Sequence, residues 1–281
     1  MSDVTASPCR PVTAEEVEHL HELGWVKLRG FVAPDVMRAT LDLAREAMGD
    51  DADGNPIPPG FEEAAANGEF GLDYFNAHLS FGLSNPVLAP LVHDVGRSAS
   101  LLQDRRTADG QPIGTRFYSD FFAPKLPNAT KSLHRGNGPT AYHQDFITFA
   151  VDRSGGLTFW FPLEAYGADE GTMSFVSESH RHGVLGDYTT YGGLDALGVF
   201  PELQRLAVTD PIEYELGDIT VHTHLTVHGA GANVTDRPRW AYIIVTQPAD
   251  ACWNGSPCPN FSSKRMQQWG QLGDDRFPVI G

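Results

Sequence analysis

The segment Thr115-Arg-Phe-Tyr-Ser-Asp-Phe121 opens a region in which short stretches rich in β-forming residues follow one another. Its apolar and polar residues alternate in part, which is typical of a strand with one buried face. Turns that contain Gly, Pro, Asn and Asp separate the candidate strands, and only one short helix is expected, over residues 194–206. Many short strands of this kind favour a β-sandwich or barrel core. The other candidate strands span residues 141–151, 157–163, 173–176, 219–227 and 240–246.

The N-terminal residues have helical signals instead. Thr13-Ala-Glu-Glu16 has the form of a capping box, with a hydroxyl at the N-cap and a carboxylate three residues later. Gly24 is expected to end that helix, and residues 25–28 to form a short strand. Pro34 is well placed as the first residue of a second helix. We therefore expect a mainly β protein with N-terminal helices packed on its core.

The length of the chain fits a single domain. Its 281 residues, 41% of them hydrophobic, can bury one large core, and β-rich enzymes often exceed 200 residues without division. We expect one domain over residues 1–281, with a helical region at about residues 12–50 and a β core at about residues 113–250. Residues 50–72 are rich in Gly, Pro, Asp and Asn and form a long loop, either an active-site lid or a disordered segment.

The charge balance excludes some partners. Twenty basic and 36 acidic residues give a formal charge of −16 and a pI near 4.9. Such a surface repels nucleic acid and anionic membranes, so neither is an expected partner. The chain has no basic leader followed by an apolar stretch and no apolar run of roughly 18 residues, so we expect a cytoplasmic protein.

His143-Gln-Asp145 is the first candidate for a metal site. Side chains at positions i and i+2 of a strand project from the same face, so the imidazole and the carboxylate can reach one metal. A third ligand must come from elsewhere, and His228 lies near the end of a later candidate strand. Two histidines and one carboxylate on one face of an octahedron leave positions open, which suits ferrous iron that binds a chelating co-substrate and dioxygen.

Alternation alone does not choose the third ligand, because His222 and His224 share strand parity with His228. Only His228 is followed by a glycine-rich turn, after which a hairpin return would bring Arg239 beside it. A guanidinium there could receive a carboxylate that does not touch the metal, although a solvated charge at a strand end is the alternative. His222 and His224 are then expected to lie in the core or behind the ligands.

These segments together resemble the phytanoyl-CoA dioxygenase (PhyH-like) family of Fe(II)- and 2-oxoglutarate-dependent oxygenases. The family's His-x-Asp motif matches His143-Gln-Asp145, and its distal block matches His228-Gly229, Asn233 and Arg239. The resemblance spans roughly residues 13–247. Further matching segments are Gly24-Trp-Val26, Gly30-Phe-Val-Ala-Pro-Asp35, Lys125-Leu-Pro127, Trp160-Phe-Pro-Leu163, Gly171 and Ser179-His-Arg-His-Gly183.

The resemblance implies a double-stranded β-helix, or cupin-like jelly roll, with Fe(II) at its mouth. It assigns the iron ligands to His143, Asp145 and His228, and a carboxylate of 2-oxoglutarate to Arg239. It also places Gln144, Trp160 and Lys125 in the co-substrate pocket. Relatives often have a serine where this chain has Ala230, so either Arg239 does without that hydroxyl or another residue such as Thr226 supplies it. Halogenating relatives have a small residue at the carboxylate position, so Asp145 favours hydroxylation.

The implied function is oxidation of an unactivated carbon, coupled to decarboxylation of 2-oxoglutarate to succinate with O2 as oxidant. Hydroxylation is the default outcome, and desaturation, epimerisation and cyclisation share its early steps. The acidic charge and the absence of a Lys/Arg-rich stretch favour a small, largely apolar metabolite of a biosynthetic pathway over a CoA thioester. The alternatives are an acyl-CoA or fatty-acid α-hydroxylase and a jelly-roll metal-binding protein without oxygenase activity.

Overall fold

The computed structural model describes residues 7–50, 81–127, 138–185, 195–256, 267–273 and 276–281. His134, which lies in a Gly- and Asn-containing stretch of sequence just before the candidate metal strand, and nearly all of the loop expected over residues 50–72 lie outside these ranges. No helix among the described residues is long and apolar enough to cross a membrane.

The N-terminal expectations are confirmed. Helix α1 (Ala14–Leu23) begins with the capping box, in which Thr13 and Glu16 bond each other's backbone amides. Gly24 ends it in the left-handed conformation, and strand β1 (Trp25–Leu28) follows directly. Helix α2 (Pro34–Met48) has proline in its first turn and buries one face, which includes Met37, Leu41 and Met48.

Two antiparallel sheets form the β core. The larger has the order β1-β6-β4-β8-β2 and the smaller the order β3-β7-β5. Connections that cross from one sheet to the other produce this order, which is the jelly-roll arrangement expected from the sequence. The bounds are β2 Thr115–Phe122, β3 Thr140–His143, β4 Leu157–Pro162, β5 Met173–Phe175, β6 Ile219–Thr223, β7 His228–Ala230 and β8 Ala241–Pro248.

The central strands β4 and β8 are buried along their whole length, because both faces of the larger sheet are covered. Phe159 and Ile244 belong to a core cluster shared with α1, α2 and α4 (Leu88–Gln103). Trp160 and Ile243, one residue away in each strand, belong to a second cluster with Met173 and Phe175 of the smaller sheet. The alternation thus directs one set of side chains toward the helices and the other into the space between the sheets.

Three expectations needed correction. The strand expected over residues 141–151 ends at His143, and Asp145–Thr148 form a 3₁₀ turn. The strand expected over residues 219–227 ends at Thr223, so His228 begins β7 of the other sheet. Helix α4 was not anticipated, although its apolar residues recur at helical spacing. The short helix expected over residues 194–206 is present as α5 (Ala196–Val199) and a 3₁₀ turn; α3 (Phe81–Ser84) is a single turn.

Gly24 gives a prediction for stability. Its φ is +85°, and an added Cβ would lie 2.4 Å from His180 Nδ1 and 2.6 Å from Thr226 Oγ1. Gly24→Ala is expected to lower the free energy of unfolding by about 2 kcal/mol or more, from left-handed strain and this steric conflict together. Urea denaturation would measure the loss. Gly30→Ala is the matched control, because Gly30 also has positive φ but open space around its Cβ position. Equal losses in both variants would contradict the steric part of the argument.

Candidate metal centre

Three separate elements bring His143, Asp145 and His228 together. His143 is the last residue of β3, Asp145 begins the 3₁₀ turn that follows, and His228 is the first residue of β7. His143 and His228 are directly paired across the smaller sheet. The premise that His143 and Asp145 share one strand is therefore wrong, but the turn after His143 makes the two side chains converge.

The distances fit one metal ion. The Nε2 atoms of His143 and His228 lie 3.5 and 3.6 Å from Asp145 Oδ1, and the three ligand atoms all lie within 4.8 Å of one another. Bonds of about 2.1 Å at right angles would separate neighbouring ligand atoms by about 3 Å. Two imidazoles and one carboxylate are the donor set of the facial triad that holds non-haem Fe(II).

The hydrogen bonds of the Nδ1 atoms determine the tautomers of His143 and His228. His143 Nδ1 lies 2.8 Å from the carbonyl of Ala141, and His228 Nδ1 lies 3.1 Å from that of Thr226. A carbonyl can only accept, so both Nδ1 atoms carry the proton. In the neutral rings the Nε2 lone pairs then point toward Asp145, as a metal ligand requires.

The protonation states of Asp145 and His228 also suit a metal, whereas at His143 burial is outweighed by the neighbouring Asp145, which raises the pKa of the imidazole. Burial works against ionisation of Asp145, yet the surrounding histidines outweigh it and hold the pKa of its carboxyl well below the ordinary value. Burial, together with the neighbouring His222, lowers the pKa of His228 well below its ordinary value. Near neutral pH the carboxylate is therefore ionised and the His228 imidazole is neutral, which are the states that bind metal ions.

A cavity of about 290 Å³ opens beside these ligands, between the two sheets. The larger sheet supplies an apolar floor, and the smaller sheet supplies the metal-binding wall. Three aromatic residues, Phe121, Phe149 and Trp160, face this cavity. The other lining residues are Ser119, Thr140, Thr148, Thr158, Met173, His222, Gly229, Ala230, Arg239, Ile243 and Val245, together with the three candidate ligands.

Arg239 lies in the same cavity as His228, but the expected hairpin is wrong, because β7 and β8 belong to different sheets. Its side chain is only 4% exposed, so it is not the solvated strand-end charge considered as the alternative. The guanidinium carbon lies 5.0 Å from the centre of the Trp160 ring, a cation–π distance that holds the group against the floor. The cavity therefore has a candidate metal centre and a buried cation.

The side chains of Gln144 and Thr226, which were expected to contact the co-substrate, do not line the cavity. The Gln144 amide bonds the backbone of Gly183, Leu225 and Leu185 and does not line the cavity. The Thr226 hydroxyl donates to the carbonyl of Gly24. Since β3 ends at His143 and the chain turns before β7, both side chains face away from the cavity.

Lys125 lies beside the cavity but does not line it. Its ammonium contacts the carbonyl of Gly231 and lies 3.5 Å from the hydroxyl of Thr140, which does line the cavity. The backbone of Lys125 pairs with that of Arg239. Lys125 thus supports the wall next to Arg239, and its direct contact with the co-substrate stays a prediction.

Two polar side chains near the ligands form hydrogen bonds with Asp145. His222 lies behind the ligands, as expected, with its Nε2 3.1 Å from Asp145 Oδ2. Thr158, which sequence reasoning missed, donates to the same oxygen at 2.6 Å. Its position two residues before Trp160 was the available signal, because such residues share a strand face. His224 is buried, and its ring contacts Phe149.

A family model described as phytanoyl-CoA dioxygenase (PhyH) matches residues 20–241. No curated protein matches the chain. Among solved structures, the alpha-ketoglutarate-dependent epimerase SnoN from nogalamycin biosynthesis superposes with a TM-score of 0.70 at 20% identity, covering 95% of this chain and 98% of SnoN. Another SnoN structure is a complex with Fe3+, alpha ketoglutarate and nogalamycin RO.

Two further solved structures have the same fold. The carbocyclase SnoK, also alpha-ketoglutarate-dependent and from nogalamycin biosynthesis, has a TM-score of 0.66 at 22% identity, covering 96% of this chain and 97% of SnoK. EvdO2 from Micromonospora carbonacea var. aurantiaca, complexed with 2-oxoglutarate, has a TM-score of 0.57 at 19% identity, covering 90% of this chain and 97% of EvdO2. These likenesses confirm the jelly-roll architecture.

Proposed function

The chain belongs to the phytanoyl-CoA dioxygenase family of iron- and 2-oxoglutarate-dependent oxygenases, and we propose that His143, Asp145 and His228 hold its Fe(II). The convergence of these three ligands in one cavity with Arg239 is the observation that carries the proposal. When bound, iron would allow dioxygen, the oxidant, to attack an unactivated carbon, while oxidative decarboxylation of 2-oxoglutarate to succinate and carbon dioxide would supply the other two electrons that dioxygen takes up.

Arg239 is the residue that we assign to the distal carboxylate of 2-oxoglutarate. Thr158 and Trp160 lie two residues apart on one face of β4, a step of about 6.6–6.8 Å along a strand. Asp145 bonds Thr158, and the Arg239 guanidinium lies over Trp160. The candidate metal and the cation are therefore separated along the strand by a span that suits a short dicarboxylate. The planar fork of arginine can pair with the far carboxylate through two hydrogen bonds.

The remaining lining residues exclude water and receive the substrate. Phe121, Met173, Ile243 and Val245 present apolar surface to the cavity, and Ser119 and Thr140 add a few hydroxyl groups. Small-molecule pockets typically combine such a mainly apolar lining with a few polar groups that fix orientation. We assign the substrate to the class of small, largely apolar metabolites, in keeping with nogalamycin RO in the SnoN complex.

The setting that we propose is natural-product biosynthesis. SnoN and SnoK, which share the fold over nearly their whole length, are named as an epimerase and a carbocyclase of nogalamycin biosynthesis. Asp145 fills the carboxylate position that halogenating relatives leave small, so hydroxylation, desaturation, epimerisation and cyclisation are the candidate outcomes. Cytoplasmic location and a single-domain organisation stay predictions.

The test is substrate-stimulated release of succinate. The purified protein, loaded anaerobically with Fe(II), is expected to develop a visible metal-to-ligand charge-transfer band when 2-oxoglutarate is added. On exposure to O2 with a panel of polycyclic and other small apolar metabolites, the true substrate is expected to raise succinate production several-fold. Acyl-CoA thioesters in the same panel test the α-hydroxylase alternative. Full turnover without 2-oxoglutarate, or a protein that binds zinc and never develops the band, would contradict the proposed function.

A further inference from the structure

The two oxygens of the Asp145 carboxylate have different surroundings. Oδ1 faces the Nε2 atoms of His143 and His228 at 3.5 and 3.6 Å. Oδ2 is turned away from them and receives two hydrogen bonds, at 2.6 Å from the Thr158 hydroxyl and at 3.1 Å from His222 Nε2. Oδ1 therefore faces the candidate metal centre, and Oδ2 is hydrogen-bonded to two side chains of the larger sheet.

We propose that Thr158 and His222 are positioning residues that restrict Asp145 to binding the metal through Oδ1 alone. The inference rests on the proposed function, since it concerns how the same centre keeps its open positions. An ionised carboxylate can bind a metal through one oxygen or through both. Two donors on Oδ2 occupy the directions from which that oxygen would otherwise reach the metal.

The restriction matters for the number of free coordination positions. Three protein ligands that each supply one atom leave three positions of an octahedron open. A chelating 2-oxoglutarate needs two of them, and dioxygen needs the third. If Asp145 bound through both oxygens, only two positions would remain, and the centre could not accept both molecules together.

The fold holds both donors firmly. Thr158 of β4 and His222 of β6 are directly paired across the larger sheet, so the backbone fixes their spacing. Both are almost fully buried, with exposures of 5% and 1%. The His222 ring lies between Phe175, at 5.5 Å between ring centres, and His228, at 4.2 Å. Rigid donors of this kind orient a ligand better than mobile side chains do.

The hydrogen-bond directions separate His222 from the two histidine ligands. An ionised carboxylate oxygen only accepts, so His222 must carry its proton on Nε2 to bond Oδ2. His143 and His228 carry theirs on Nδ1, against backbone carbonyls. Their Nε2 atoms are free for a metal, whereas the Nε2 of His222 is committed to Asp145. The proton on Nδ1 therefore leaves His143 and His228 able to bind a metal through Nε2, whereas the proton on Nε2 makes His222 a hydrogen-bond donor to Asp145.

The experiment compares removal of each donor with its replacement by another donor. Thr158→Val and His222→Leu remove the hydrogen bonds, while Thr158→Ser and His222→Gln retain a donor in a similar place. Dissociation constants for Mn(II) and Co(II) are measured by titration calorimetry on the full chain, and the visible spectrum of the Co(II) protein reports its coordination. We expect metal binding to weaken about 10- to 100-fold when a donor is removed. The Co(II) spectrum is expected to change in the same variants, and both readouts to stay near wild type when a donor is retained.

Thr246→Val is the matched control, because it also removes a buried hydroxyl from the larger sheet, one that donates to the carbonyl of Leu157 and not to Asp145. Its metal affinity and Co(II) spectrum are expected to equal those of the wild type. A wild-type protein that binds no metal would refute the proposed function itself. If the wild type binds metal, unchanged affinity and spectrum in Thr158→Val, which is isosteric and should fold, would overturn the inference. Equal losses in the donor-retaining and donor-removing variants would overturn it as well.

Discussion

Replacement of His143 by alanine is expected to abolish tight metal binding and, with it, 2-oxoglutarate-dependent turnover. The side chain supplies one of three candidate ligand atoms, and the described residues bring only His143, Asp145 and His228 close enough together to form such a group. Loss of a group that merely orients a ligand typically weakens metal binding 10- to 100-fold, so loss of the ligand itself should exceed about 100-fold. Calorimetric titration with Mn(II) would measure the affinity, and succinate formation would measure turnover.

A histidine outside the site provides the control for this substitution. His93 is exposed on α4, and His93→Ala removes an imidazole without touching the cavity. That variant is expected to bind Mn(II) and turn over as the wild type does. Retention of wild-type metal affinity by the His143→Ala protein, with its far-UV circular dichroism unchanged, would refute the assignment of His143 as a ligand.

The parts of the fold that depend on neighbouring residues could be predicted from the sequence. Short sequence motifs were sufficient to predict helix ends, because a few neighbouring residues determine them. The capping box at Thr13, the left-handed cap at Gly24 and the proline that begins α2 are each determined by a few neighbouring residues, and each is confirmed. The candidate strands also coincide with β2, β4, β5 and β8.

Strand ends near the site could not be read in this way. Residues 141–151 and 219–227 are rich in β-forming residues, but the chain leaves the strand after His143 and after Thr223. Both strands end where the chain must cross to the other sheet or turn toward the cavity, so the packing of the two sheets determines these ends. The turns then place Asp145 and His228 at the cavity. Strand propensity describes how well a residue fits a pleated surface and carries no information about where the chain must turn.

Side-chain direction was the other source of error. Gln144 lies between His143 and Asp145, and Thr226 lies two residues before His228. Both follow the last residue of a strand, so the alternation of side chains along a strand does not predict where they point. Both bond the backbone behind the site. Arg239 and Trp160 do line the cavity, although the resemblance that singled them out also singled out Gln144 and Lys125. Helix α4 was missed although Leu88, Leu91 and Val95 follow helical spacing, so that signal was present in the sequence.

Truncation of Arg239 is expected to weaken 2-oxoglutarate binding strongly while leaving the metal in place. Arg239 is 4% exposed as a residue, and its guanidinium lies over Trp160, so a carboxylate brought beside it loses its water. Removal of one partner of such a buried pair typically costs about 2–5 kcal/mol, which corresponds to roughly 30- to 5000-fold in affinity. Calorimetric titration of the Mn(II)-loaded Arg239→Ala protein with 2-oxoglutarate would measure this loss.

Two further variants decide whether the effect comes from the fork of donors, from charge or from the fold. Arg239→Lys keeps a positive charge but has no planar fork, so its affinity for 2-oxoglutarate should lie between those of the wild type and Arg239→Ala. Arg237→Ala removes a neighbouring arginine whose partners are Glu164 and Glu170 at the surface, and it should bind the co-substrate normally. Because the Arg239 guanidinium lies over Trp160, two residues along β4 from the Thr158 that bonds Asp145, none of these variants should change Mn(II) affinity. Wild-type affinity for 2-oxoglutarate in Arg239→Ala would show that another group receives the distal carboxylate.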